Sequence, residues 1–153
     1  MKEQTYAMIK PDAVNANHTG EIIARIEKEG FNILGLKMGT MDRELAEEFY
    51  AVHQERPFFN ELVEFISSGP VVAMVLEKEN AINAWRELMG DTDPEKAPEN
   101  SLRKLYGTNI GNNAVHGSDA PETVEVETGL IFPELFEADG PLDGSLGDDS
   151  DEA

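Results

Sequence analysis

The sequence predicts an α/β or α+β sandwich in which helices pack against a small β-sheet. Three observations lead there. Short apolar stretches alternate with segments of helical periodicity in the order β-α-β-α-α-β-α, followed by a long polar connection, a short strand and a helix. The length of 153 residues is that of one ordinary domain. With 40% apolar and 28% charged residues, the chain can build a compact core.

Residues 5–9 (TYAMI) form the first expected strand. A helix starting near Thr19 or Gly20 follows, with Ile22, Ile23 and Ile26 on one face and Gly30 at its end. Residues 31–38 alternate, placing Leu34, Leu36 and Met38 on one side and Phe31 and Ile33 on the other. Asp42 is an N-cap for a helix whose apolar side carries Leu45, Phe49 and Val52. After Pro57, a further helical face holds Phe58, Phe59, Leu62, Phe65 and Ile66. The turn signal Ser67-Ser68-Gly69-Pro70 precedes residues 71–76, a continuous apolar run suited to a strand covered on at least one face. Ile82, Trp85, Leu88 and Met89 mark another helix, ended by Gly90. Residues 91–101 hold two prolines and read as a surface loop, long enough to be functional or to contact a partner. Residues 113–116 form a brief strand between Gly111 and Gly117, leading into a helix that begins Pro121-Glu122-Thr123.

Charge narrows the function classes. Thirty-one acids face 12 bases, a formal net charge of -19, and no Lys or Arg follows Lys104. General binding to nucleic-acid backbone is excluded, because it draws its affinity from Lys and Arg displacing counterions. An anionic substrate would need a local cationic pocket. The longest apolar run has six residues, against about 20 for a membrane span. No secretory signal is visible, so a cytoplasmic location and no membrane partner are expected. The absence of cysteine excludes disulfides, thiolate zinc sites and cysteine nucleophiles. From Ala138 onward the chain is Gly, Ser and Asp rich, with six acids and no base. The expected organisation is a domain over residues 1–137 and an acidic, disordered tail over 138–153.

No phosphate-binding glycine loop (GxxxxGK[ST]), dinucleotide fingerprint or HExxH is present. Of the three histidines, His18 lies in a polar turn and His53 at a helix end, and their spacing matches no metal motif. His116 is set apart by its neighbours. Gly117 removes bulk beside the ring, and Ser118 and Asp119 are able to cap the following helix. Those residues alone leave open both a nucleophile and a histidine beside a tight turn. Arg86 and Arg103 flank the 91–101 loop, as polyphosphate ligands or as surface ion-pair partners.

Asn113-Ala114-Val115-His116-Gly117-Ser118-Asp119 resembles, at every specified position, the N-x-x-H-G-S-D signature of nucleoside diphosphate kinases. Five further motifs follow the family's order and spacing: Tyr6-Ala7-Met8-Ile9-Lys10-Pro11-Asp12, Gly20-Glu21-Ile22-Ile23, Arg56-Pro57-Phe58-Phe59, Ser68-Gly69-Pro70-Val71-Val72-Ala73-Met74-Val75 and Gly90-Asp91-Thr92-Asp93-Pro94. The resemblance spans nearly all of residues 4–132. It implies a ferredoxin-like sandwich, with a four-stranded antiparallel sheet covered by helices. It also implies transfer of the γ-phosphate of a nucleoside triphosphate to a nucleoside diphosphate, by a ping-pong route through a phosphohistidine on Nδ1 of His116.

By the same resemblance Glu127 holds the other ring nitrogen, and Ser118 supports Glu127. Lys10, Tyr50, His53, Arg86, Thr92 and Arg103 grip the polyphosphate, with Lys10 and Tyr50 counted among the catalytic groups. Phe58 stacks on the base, Ile110 covers its other face, and Lys10 and Asn113 reach the ribose hydroxyls. Read as residues only, Phe58 suits core packing and Glu127 an acidic helix equally well. Mg²⁺ arrives with the nucleotide, bridging phosphates, with no dedicated metal site on the protein. Homo-oligomers built from dimers, as hexamers or tetramers, are implied as well. The chain departs from the family at 98–102, where Pro98-Glu99-Asn100-Ser101-Leu102 replaces a Pro-Gly-Thr-Ile stretch. Two other readings keep the scaffold: a noncatalytic binding or regulatory protein that uses its acidic tail, and a protein-histidine phosphotransferase.

The acidic tail carries only six of the 31 acids, so the charge excess belongs mainly to the domain. That pattern fits a chain adapted to salt, because like charges on a compact body repel. The Debye length falls from about 10 Å at 0.1 M to about 3 Å at 1 M salt. The melting temperature is therefore expected to rise across that range, in the full chain and in one cut after Glu137. A flat or falling midpoint in NaCl would show that acidic repulsion does not limit stability.

Overall fold

The computed structural model describes residues 2–134. The acidic segment 138–153, expected to be a disordered tail, lies outside the described residues. Strands β1 (Lys2–Ile9), β2 (Asn32–Gly39), β3 (Val71–Glu79) and β4 (Val115–Gly117) form one sheet in the order β2-β3-β1-β4. Each neighbouring pair is antiparallel. The helices are α1 (Pro11–Asn15), α2 (Thr19–Lys28), α3 (Arg43–Phe49), α4 (Phe59–Ile66), α5 (Ala81–Met89), α6 (Leu102–Tyr106) and α7 (Pro121–Ile131). This is the ferredoxin-like α/β sandwich.

The apolar run at 71–76 is continuous because both faces of the sheet are covered. Val72, Met74 and Leu76 join Ala7 and Ile9 of β1 in a core with Ile22 and Ile26 of α2 and Trp85 of α5. Val71, Ala73 and Val75 join Tyr6 and Met8 in a second core with Phe49 of α3 and Val63 and Ile66 of α4. A single strand thus supplies alternate side chains to two layers.

Local signals act as anticipated at several ends. Asp42 caps α3, accepting from Leu45 N–H at 2.8 Å. Gly30, at φ 94°, takes the left-handed turn between α2 and β2. The two faces read over residues 31–38 are as expected: Phe31 and Ile33 pack against the core, while Leu34, Leu36 and Met38 stay exposed on an edge strand with a register shift between Ile33 and Gly35.

Other expectations need correction. The strand starting at Thr5 begins instead at Lys2, because β1 pairs with β3 from Lys2↔Glu79 onward. Val52 leaves the α3 face. It sits in a single 3₁₀ turn (Ala51–His53) and is 83% exposed. Phe58 precedes α4 as its N-cap residue rather than lying within it. The 91–101 loop contains a 3₁₀ turn at Pro94–Lys96, capped by Asp93. The short helices α1 and α6 had no sequence signal, because five residues hold too little apolar repeat to read.

Candidate active site

β4 brings His116 to the edge of the sheet, opposite Met8 of β1. The imidazole lies edge-on to Phe49 at 5.2 Å and to Tyr6 at 6.2 Å between ring centroids. Its Nε2 is 3.1 Å from Glu127 Oε1, and Ser118 Oγ donates to that same oxygen at 2.7 Å. Glu127 projects from α7 and is buried, as is Ser118. A carboxylate facing Nε2 makes that nitrogen the protonated one and leaves the lone pair on Nδ1. Ser118 therefore does not cap the next helix. The N-cap is Ala120, followed by Pro121 at the first helical position, and Asp119 accepts from Thr123 Oγ1 at 2.8 Å.

Backbone contacts hold the histidine as firmly as side-chain ones. Trp85 of α5 donates its indole N–H to the His116 carbonyl at 3.2 Å. The ring passes so close that a Cβ on Gly117 would lie 2.3 Å from Trp85 Cδ1. Only glycine fits beside that indole.

A cavity of about 340 Å³ adjoins Gly117 and is lined also by Arg86, Thr92, Arg103, Asp91 and Asp119. Three of the expected polyphosphate ligands thus share one wall. Arg103 is nearly buried and donates to Gly90 O at 3.0 Å and Val115 O at 2.9 Å, while its buried Nε has no partner. Burial, with Arg86 nearby, lowers its pKa to about 10.

Lys10, at the end of β1, donates to Asn113 Oδ1 at 2.7 Å, and Asn113 Nδ2 donates to Thr92 O at 3.0 Å. These two residues are joined to each other and to the 91–101 loop, and they do not line the Arg86–Arg103 cavity. Burial and then Arg103 lower the Lys10 pKa to about 8, partly opposed by Asp12.

The remaining residues lie along a row of rings. Tyr50 meets Phe49 at 5.1 Å, His53 lies 6.2 Å from Tyr50, and Phe58 is 5.6 Å from His53. Burial and Glu127 raise the Tyr50 pKa, so its phenol stays protonated. Phe58 is 41% and Ile110 60% exposed, open to solvent rather than packed in the core. Tyr6, Phe49 and Trp85 also surround His116. The sequence shows them only as strand and helix-face residues, because their contacts with the histidine are tertiary.

Residues 3–136 match the family model "Nucleoside diphosphate kinase". The chain belongs to the nucleoside diphosphate kinase family. A member from Persephonella marina is 55% identical over 133 residues, covering 87% of this chain and 95% of that protein. The structure of the Aquifex aeolicus enzyme superposes with a TM-score of 0.86 at 51% identity, over 88% of this chain and 98% of that one. The halophilic enzyme from Halobacterium salinarum, solved in complex with CDP, gives 0.82 at 43% identity, over 86% and 88% of the two chains.

Nucleoside diphosphate kinases are phosphotransferases that work in two half-reactions with a divalent metal, and this chain is one of them. Where it departs from the family's usual loop, Ser101 serves as the N-cap of α6 and donates to Pro98 O at 2.7 Å.

The Lys10 shift has a measurable consequence. A bound polyphosphate favours the charged amine, so above about pH 8 nucleotide binding should draw in a proton at Lys10. Calorimetry in two buffers of different ionisation enthalpy is expected to give different apparent heats; identical heats would contradict it. Between about 8 and the ordinary 10.5, the folded chain holds fewer protons at Lys10 than the unfolded one. This site's contribution to stability therefore rises with pH through that window.

Proposed function

We propose that His116 is the nucleophile of this kinase and that Nδ1 carries the phosphoryl group. The observation behind the reading is the Ser118–Glu127–His116 chain, which commits Nε2 and leaves Nδ1 its lone pair. In the first half-reaction Nδ1 attacks the γ-phosphorus, a P–N bond forms, and the bond to the β-γ bridging oxygen breaks. The nucleoside diphosphate departs, and a second one takes the phosphoryl group by the reverse steps. Glu127 offsets the positive charge on the phosphorylated ring.

Arg86, Arg103, Lys10, Thr92, Tyr50 and His53 position the polyphosphate. In this reading Phe58 and Ile110 sandwich the base without reading its edge, which suits a broad range of nucleotides. Lys10 and Asn113 take the ribose hydroxyls, and Asn113 must then share its amide with the bonds it already makes. The substrate is the Mg²⁺–nucleotide, in which the ion neutralises phosphate charge. The ion would arrive with the nucleotide and be held mainly by its phosphates, with little dedicated ligation by the protein. A noncatalytic role is disfavoured, because such a protein has no use for a histidine held by a buried carboxylate on the strand whose Gly117 borders the Arg86–Arg103 cavity.

Among the described residues no helix is long and apolar enough to cross a membrane, and we place the enzyme in the cytoplasm, where its nucleotides are. Salt adaptation is part of the same proposal. We also propose a homo-oligomer, hexamer or tetramer, built from dimers. Edge strand β2 supports this, with Leu34, Leu36 and Met38 exposed beside unpaired backbone groups.

Two experiments address these readings. γ-labelled ATP with Mg²⁺ is expected to give an acid-labile, alkali-stable adduct that a second diphosphate discharges. His116→Ala should lose labelling and turnover while keeping its melting temperature; normal turnover would refute the assignment. In light scattering, a chain cut after Glu137 should remain oligomeric and Met38→Glu should dissociate. A monomeric wild type would end the oligomer proposal.

A further inference from the structure

The residue two places before His116 is held in an unfavourable conformation. Ala114 is buried with φ 75°, and Val115 N–H bonds Asn113 O at 2.9 Å, closing a three-residue turn around it. An L-residue with a Cβ avoids this region, so the surroundings must impose it. Both peptide groups of Ala114 are tied to the segment that follows β1. Its carbonyl accepts from Lys10 N–H at 2.8 Å, and its N–H donates to Asp12 Oδ2 at 3.0 Å.

Asp12 is the less ordinary partner. Its second oxygen, Oδ1, is buried and has no hydrogen-bond partner, a loss that protein structures seldom tolerate without a reason. A place in the first turn of α1 suits an acid. That alone does not aim Oδ2 at a backbone N–H 102 residues further along the chain.

We infer that Asp12 is a positioning residue for phosphoryl transfer, its carboxylate holding Ala114 in the left-handed turn that sets the His116 ring against Glu127. The inference rests on the reading of His116 as nucleophile. Asp12 touches neither the ring nor the cavity wall; its charge also favours protonated Lys10, and its only hydrogen bond toward the histidine segment is the one to Ala114 N–H. Without the acceptor, Ala114 would relax toward negative φ, and β4 would present the imidazole at a different angle. A misplacement of about 1 Å at the reacting atom costs roughly a hundredfold in rate.

The test compares wild type, Asp12→Ala and Asp12→Asn by kcat, by KM for both nucleotides and by melting temperature. Asp12→Ala should lower kcat at least about tenfold with little change in KM, the sign of a misaligned nucleophile and not of a lost ligand. Asp12→Asn keeps an acceptor oxygen and should recover most of that loss. A folded Asp12→Ala enzyme with wild-type kcat overturns the inference. So does a rise in KM alone, or an Asn variant as slow as the Ala one.

Should Asp12→Ala not fold, Asp12→Ser is measured in its place, since its hydroxyl keeps a polar helix start but is too short to reach Ala114. If neither folds, Asp12→Asn decides: retained kcat supports the role and a tenfold loss ends it. An active His116→Ala chain would overturn the nucleophile assignment instead, a result these variants do not produce.

Discussion

Pairing of the three-residue strand β4 with β1 is the constraint on which the site depends. β1 is a central strand, buried on both sides and fixed by β3 along its whole length. Its far end delivers Lys10 and Asp12, while its other edge accepts β4 in the register Met8↔His116. Lys10 and His116, distant in the chain, thus share one rigid support. Short as it is, β4 is reinforced from both sides. Ser118 N–H reaches Tyr6 O, Arg103 reaches Val115 O, and Trp85 reaches His116 O. Sites built on strands hold their geometry better than sites on loops.

Much of this architecture was legible beforehand, for a physical reason. Amphipathic helices show their buried face as periodicity, and α2 and α5 did, whereas the α4 face read from the sequence missed buried Val63 and took in exposed Phe58. In β2 the two faces were legible but not which of them a neighbour covers, because alternation alone does not tell that. Within the site, the residues themselves pointed only to His116, Arg86 and Arg103. The rest of the expected set came from ordered motifs that resemble a family. Trp85, Phe49 and Asp12 stayed hidden because contacts across the fold leave no local pattern.

Electrostatics resolves the apparent conflict between an acidic chain and an anionic substrate. Surface Arg25, Lys37 and Arg43 are each paired with a glutamate. Among the described residues the ion pairs involve neither Lys10, Arg86 nor Arg103. In a chain with 31 acids for 12 bases, a carboxylate partner for each of these cations would have been easy to place. Instead Lys10 is bonded to an amide oxygen and Arg103 to two backbone carbonyls, which orient the charge without cancelling it.

That choice has an electrostatic cost. Burial and then the neighbouring arginine lower both pKa values, to about 8 and about 10, and Asp12 and Asp91 offset this only in part, so folding works against these charges. Under the proposed reading, a polyphosphate would remove that penalty as it binds, and the oxygens of a transferring group need cations most when charge shifts among them. Glu127 follows the same pattern: it is a buried acid hydrogen-bonded to a hydroxyl and an imidazole, not to a Lys or Arg. The acidic exterior is compatible with all of this because screening acts on exposed charges first, while the buried groups interact over shorter distances through protein. The outer surface can therefore answer to the solvent and the inner one to the phosphate.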